Sequence, residues 1–216
     1  MDEIYLWHKV LLLMYSAMTP KGFYQDPDML FDVKKMQSAL AEVDSRVARQ
    51  SPLGKRDINA ICLTQVPGDP NSITGGNVRG LFWTRPDHTG VEVQREEPID
   101  ETRYSQFVEL FADTYFKEVY DRLIEKYQLG RIRLLWKLPR TTLSWHRDPE
   151  PRLHIAIITN PGAHMIVESV NHHMPADGHV CITNNTRYHN AFNGGEEDRV
   201  HLVATVLNFD MRLFGD

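Results

Sequence analysis

Two hydrophobic periods divide the chain near residue 130. Ahead of it, Met29, Leu30, Val33, Met36, Leu40, Val43 and Val47 recur at three-to-four spacing. That stripe predicts a helix, opened by Asp26-Pro27-Asp28 and closed by the turn residues at 50–54. A second stripe, Phe107, Leu110, Phe111, Tyr115, Val119 and Leu123, predicts a helix from about Thr102 to Tyr127. Asp100 and Thr102 stand at its start and Gly130 just past its end. Between the stripes, runs at 58–66 and 78–83 read as strands around a Gly-, Pro- and Asn-rich loop at 67–77.

After Gly130 the period becomes two. Runs at 131–138, 152–159, 164–169, 179–183, 187–192 and 199–209 read as strands, separated by turn signals. Short strands at such close spacing predict a small barrel or jelly roll. The expected organisation is a single domain over 1–216, with a helix-rich part, 1–130, packed on a β-barrel core, 131–210.

Composition narrows the picture only a little. A chain of 216 residues is long enough for one large core. The net charge of −5 and the lack of any Lys/Arg block argue against a nucleic-acid partner. Cys62 and Cys181 sit in apolar runs and read as buried free thiols of a reducing compartment. In residues 1–18 the apolar run from Val10 to Met14 is short, and Asp2 and Glu3 replace the positive charge a signal peptide needs. It is also too short to span a bilayer. A cytoplasmic protein with a buried or amphipathic first segment is expected, with no membrane partner.

The chemistry concentrates late in the chain. Eight of the ten histidines fall within 146–201, and the stretch SWHRDPEPRLHIAI at 144–157 puts several ionisable groups at the mouth of an apolar strand. In extended chain, His146 and Asp148 share a face. Two histidines and one carboxylate with open positions form the site of non-haem Fe(II) oxygenases, so a third ligand is needed from another strand. His189 and His201 are the candidates, with His179 behind them. A dicarboxylate cosubstrate such as 2-oxoglutarate would need a buried cation at its far end. Arg199 follows His189 by ten residues across the turn NGGEED, which would allow paired strands and favours His189. Choosing His201 leaves only Arg212 for that role. Arg152 with His154, and Arg199 with His201, repeat an Arg-x-His pair among apolar neighbours, and buried cations call for an anion. A surface pairing of Arg199 with Glu196 or Asp198 is the competing reading.

The segment from His146 to Val206 resembles the aspartyl/asparaginyl β-hydroxylase family of 2-oxoglutarate- and Fe(II)-dependent oxygenases. The resemblance lies in Trp145-His146, in Arg152-Leu153-His154 leading into an apolar strand, in HNAFN at 189–193, and in the Arg ten residues after its His. It covers the C-terminal third by motif and the rest only by helical character. The loop between His146 and Arg152 is a few residues shorter than the family's, and Asp148 stands where some members have Gly. The resemblance implies an α+β fold with a β-dominated core, a double-stranded β-helix (jelly roll, cupin-like) flanked by N-terminal helices. It implies Fe(II) held by His146, Asp148 and His189, and 2-oxoglutarate bound by Arg199 with Arg152, His154 and His201. The implied activity is O2-dependent hydroxylation of an unactivated C–H, on an amino-acid side chain free or in a protein. Trp145 and Trp136 are candidate pocket walls, and the loops 67–77 and 85–88 candidate substrate-facing segments. His172 and His173 read as loop residues. The alternatives are a cupin-type metal barrel without 2-oxoglutarate, and a non-catalytic module binding a small anion.

Overall fold

The computed structural model describes residues 19–50, 58–72, 79–85 and 89–215. Its elements in chain order are β1 (Phe23–Leu30), α1 (Val33–Arg46), β2 (Ile58–Cys62), β3 (Thr64–Gln65), β4 (Phe82–Thr84), β5 (Val93–Arg95), β6 (Gln106–Phe107), α2 (Tyr115–Lys126), β7 (Leu129–Lys137), β8 (Thr141–Thr142), β9 (His146–Arg147), β10 (Arg152–Ile158), β11 (Ala163–Val167), β12 (Val170–His172), β13 (His179–Thr183), β14 (His189–Asn193) and β15 (Arg199–Val206). One sheet runs β1-β13-β10-β15-β7-β2 and a second runs β12-β11-β14-β9-β4-β5, with β8 on β14. All the pairings are antiparallel, and β3 and β6 form a separate ribbon. The expected jelly-roll architecture is present.

Alternation along the first sheet sorts its side chains into two environments. Ile132, Leu134 and Trp136 of β7, Leu153, Ile155 and Ile157 of β10, and Val200, Leu202 and Ala204 of β15 join one core with Met36, Leu40 and Val43 of α1 and Phe116, Val119 and Leu123 of α2. The opposite face carries Arg131, Arg133 and Lys137, Arg152 and His154, and Arg199 and His201. A smaller apolar cluster, including Phe23, Ala156, Met165, Val167, Cys181 and Ala191, joins the two sheets. The helices therefore close one side of the first sheet and leave its polar side for the barrel interior.

Several expected elements are placed differently. Asp26-Pro27-Asp28 does not begin a helix; it lies in β1, which pairs with β13 through Phe23↔Thr183 and Gln25↔Cys181. Asp26 is fully buried, accepting from the Tyr127 hydroxyl and, at 2.8 Å, from Lys126 Nζ. The helix starts at Val33, where the Asp32 carboxylate accepts the N–H groups of Lys34 and Lys35. The helix read over Thr102–Tyr127 is shorter. Glu101–Arg103 and Glu109–Phe111 are single 3-10 turns around β6, and only Tyr115–Lys126 is α-helical. Glu101 is drawn into the core by Arg131, which breaks the continuous helix, and Leu110 stays exposed. Among the described residues ahead of 130, strands thus alternate with helices. The run 58–66 divides at Leu63 into β2 and β3, and the strand read at 78–83 is β4, at 82–84. Residues 1–18, and 73–77 of the loop 67–77, lie outside the described residues. Both cysteines are free and buried. No described helix is long and apolar enough to cross a membrane.

His189 and Arg199 are not on paired strands as expected. β14 belongs to the second sheet and β15 to the first, so the NGGEED turn crosses between sheets. The crossing is tight: a Cβ on Gly162 would lie 2.6 Å from the backbone N of Gly195. The two side chains therefore approach one interior from opposite walls.

Candidate metal centre and anion pocket

β9 and β14 pair with His146 directly opposite His189, and the imidazole centroids are 4.2 Å apart. The chain leaving β9 is fixed by the Asp148 N–H, which donates to the Asn185 carbonyl at 2.7 Å. The Asp148 carboxylate then faces both rings, 3.9 Å from His146 Nε2 and 4.0 Å from His189 Nε2. One ligand atom from each of the three lies within 4.8 Å of the others, and among the described residues this is the one such His/Cys/Asp/Glu group. The other third-ligand candidates are elsewhere. His201 is on the first sheet, and His179 on β13 pairs with Asp177 at 3.1 Å.

The ring orientations suit metal binding. His146 Nδ1 donates to the Ser144 carbonyl at 2.6 Å and His189 Nδ1 to the Arg187 carbonyl at 3.0 Å, which leaves Nε2 of each as the lone-pair atom. Burial, with His146 close by, lowers the His189 pKa to about 4, so the ring is neutral at physiological pH. Burial opposes ionisation of Asp148, but Arg152, His189 and His146 outweigh it and hold the carboxyl below its usual range. Arg152 Nη2 is 3.2 Å from that carboxylate. Asn185 adds a contact of 2.8 Å from Nδ2 to His189 Nε2, and its own Oδ1 accepts from the Thr183 hydroxyl.

These three residues border a cavity of about 200 Å³ between the sheets, whose other wall includes Arg133, Lys137, Arg152, His154 and Arg199. Arg199 is buried, and its Nη2 contacts His201 Nδ1 at 2.7 Å. The surface alternative fails because Glu196 pairs with Arg140 and Asp198 with Arg49. Burial lowers the Arg199 pKa to about 9. It also pushes His154 and His201 well below their ordinary value, and Arg199 acts in the same direction on both. Both ring nitrogens of His154, Nε2 of His201 and Nε of Arg133 are sealed from solvent with no hydrogen-bond partner.

Some sequence-level candidates fall away from the cavity. Trp145 is exposed and stacks on Tyr188, and Trp136 lies in the helix-facing core under Arg49. Neither walls the pocket. Of the loop 85–88, Arg85 lies over the Tyr188 ring and the rest is outside the described residues. His172 ends β12 rather than sitting in a loop, and His173 donates from Nδ1 to the Ala163 carbonyl. The sequence reading missed Arg133, Lys137, Asn185 and the wall at Arg79–Phe82. The first two had a signal: in RIRLLWK the cations 131, 133 and 137 share one parity against Ile132, Leu134 and Trp136.

Residues 108–208, slightly under half the chain, match the Aspartyl/Asparaginyl beta-hydroxylase family. The resemblance seen in the sequence holds over this stretch. The fold is that of the 2-oxoglutarate and Fe(II) oxygenases. HygX from Streptomyces hygroscopicus, solved with nickel and 2-oxoglutarate bound, has a TM-score of 0.50 at 12% identity, covering 91% of this chain and 85% of that one. A 2OG-Fe(II) oxygenase family oxidoreductase from Burkholderia pseudomallei has a TM-score of 0.49 at 16% identity, covering 90% and 89%. A Pseudomonas putida prolyl-4-hydroxylase has a TM-score of 0.48 at 10% identity, covering 92% and 100%. No curated protein matches the sequence. In this oxygenase fold the His-Asp-His group sits on the second sheet and the Arg-x-His pairs on the first, with the cavity between them.

Proposed function

We propose that this protein is a 2-oxoglutarate- and Fe(II)-dependent hydroxylase acting on an unactivated C–H of an amino-acid side chain, free or in a peptide. The observation that carries this reading is the convergence of a His-Asp-His group and a deeply buried arginine on one cavity. Two imidazoles and a carboxylate are the donor set of a 2-His-1-carboxylate site, so His146, Asp148 and His189 would hold Fe(II). The unpartnered ring nitrogens of His154 and the buried Arg199, both lining the cavity, fit a small dicarboxylate, with His201 behind them against Arg199. Bound together, Fe(II) and 2-oxoglutarate supply the O2-dependent oxidising chemistry that a protein side chain cannot.

The chain's own residues bind, orient and exclude water. The carbonyls of Ser144 and Arg187 lock the imidazoles, and Arg152 keeps Asp148 ionised and turned toward them. Arg199 receives the distal carboxylate, and neutral His154 offers hydrogen bonds without adding charge. Leu135, Met165, Ala191 and Val203 supply apolar wall between these polar groups. The barrel without 2-oxoglutarate is disfavoured because it leaves Arg199 buried with only a neutral histidine beside it.

Arg199→Ala tests the assignment by calorimetry under anaerobic conditions. Metal affinity should be retained while 2-oxoglutarate binding weakens roughly 30-fold, the loss of about 2 kcal/mol of charge-assisted hydrogen bonding. Unchanged 2-oxoglutarate affinity would contradict it.

A further inference from the structure

Two of the three proposed metal ligands are held together by very little ladder. β9 has two residues; it pairs with β14 at His146↔His189 and with β4 at Trp83↔Arg147 and Thr84↔His146. So few backbone hydrogen bonds fix a strand weakly. The face of this sheet turned away from the cavity supplies the missing hold.

Alternation sends the chain neighbours of the two histidines outward. Arg147 follows His146, Tyr188 precedes His189, and both meet one carboxylate. Glu92, just ahead of β5, accepts from Arg147 Nε at 2.7 Å and from Arg147 Nη2 at 2.5 Å. Its Oε2, the oxygen facing Arg147 Nε, also accepts the Tyr188 hydroxyl at 2.9 Å. None of Glu92, Arg147 and Tyr188 lines the cavity. Rings back the charges: the Arg147 guanidinium lies 4.1 Å from the Trp83 centroid, and Tyr188 carries Arg85 at 4.6 Å and stacks on Trp145 at 6.3 Å. An exposed ion pair usually contributes little. This one is bidentate, so it constrains direction as well as distance. It also sits one residue from each imidazole and reaches 55 positions along the chain to Arg147 and 96 to Tyr188. On the inner face, Phe82 of β4 meets the His146 ring edge-on, with centroids 5.7 Å apart. His146 is thus braced from both faces of the sheet.

We propose that Glu92 is a positioning residue for the metal group. Through Arg147 and Tyr188 it fixes β9 against β14, and so sets the spacing of His146 and His189. This rests on the metal-site reading above and adds to it residues outside the cavity. Glu92 touches no proposed ligand, so its loss should distort and weaken metal binding without abolishing it.

The test uses the full chain, freed of metal and titrated anaerobically with Co(II), whose visible d–d absorption reports ligand geometry. Glu92→Ala should weaken Co(II) binding about 10-fold, the lower end of what losing an outer partner of a metal site costs, and should alter the d–d band. Glu92→Gln, which keeps one acceptor oxygen, should recover part of both. With Arg147→Met and Tyr188→Phe already present, Glu92→Ala should add no further loss, because its two partners are gone. Asp113→Asn breaks another surface pair, with Arg46 on the helix side of the first sheet, and should leave Co(II) affinity and spectrum unchanged. Unaltered affinity and spectrum in Glu92→Ala would overturn the proposal. So would an equal loss in Asp113→Asn, which would mark general loosening, or a further loss in the doubly substituted background. If Glu92→Ala does not fold, Tyr188→Phe, which removes a single hydroxyl, decides by the same two readouts. Co(II) binding that His146→Ala leaves intact, or no binding by the unaltered protein, is a separate outcome, since it removes the metal reading itself and the proposal with it.

Discussion

At the scale of single residues, the interior histidines are held neutral. His189, His154 and His201 all titrate below an ordinary histidine because burial penalises the imidazolium, with neighbouring positive charge adding to it. A folded-state pKa below the unfolded value means that the unfolded chain binds more protons. Their contribution to stability is therefore complete above about pH 6.5 and is lost as pH falls toward the folded values, about 4 for His189. From pH 7.5 to 5, His189 alone should remove roughly 2 kcal/mol. Urea unfolding of the chelator-treated protein should show the midpoint falling across that interval, and His154→Gln should flatten the slope. A midpoint indifferent to pH would refute the burial argument. Much at this scale was legible, since i, i+2 parity put His146 with Asp148 and Arg152 with His154 before any fold was known. Asn185 was not legible, because its contact with His189 depends on how a loop returns over β9 and β14.

At the scale of elements, β7 shows how a buried ion pair can redirect local structure. Arg131 binds Glu101 through both Nε and Nη2, its own N–H donates to the same carboxylate, and both side chains are nearly inaccessible. Burial would raise the Glu101 pKa, but the Arg131 hydrogen bonds outweigh it and hold it low. That contact pins the turn at 101–103 to the sheet and ends any helix there, which is why the apolar stripe from Phe107 overstated the length of α2. Period alone finds the face of a helix, but not a long-range partner that stops it. Glu101→Gln should cost about 3–5 kcal/mol by leaving Arg131 buried without a counterion. The Glu101→Leu, Arg131→Met double variant should recover much of that loss in denaturant unfolding. A single-variant cost near zero would show that the pair contributes nothing to the turn. The same limit applies to the NGGEED turn. Its residues announce a reversal, but not that the chain changes sheets there, so His189 and Arg199 were expected side by side and instead face each other.

At the scale of the whole molecule, alternation on one sheet organises both stability and chemistry. Its outward side chains form the apolar core with α1 and α2, and its inward ones supply the cations of a cavity closed by the sheet that bears His146 and His189. The jelly roll was legible from period-two runs after Gly130, and the gathering of His146, Asp148 and His189 was expected from spacing and resemblance. The concentration of positive charge was not, because it arises only when β7 lies beside β15 in register. The most direct test of the account is an anaerobic titration of the metal-free protein with Fe(II) and then 2-oxoglutarate, recording the visible spectrum. A charge-transfer band that requires both additions, and that is lost in His146→Ala and His189→Ala, is the predicted result. Iron binding that gives no band with 2-oxoglutarate would contradict the cosubstrate assignment and leave a metal barrel of another kind.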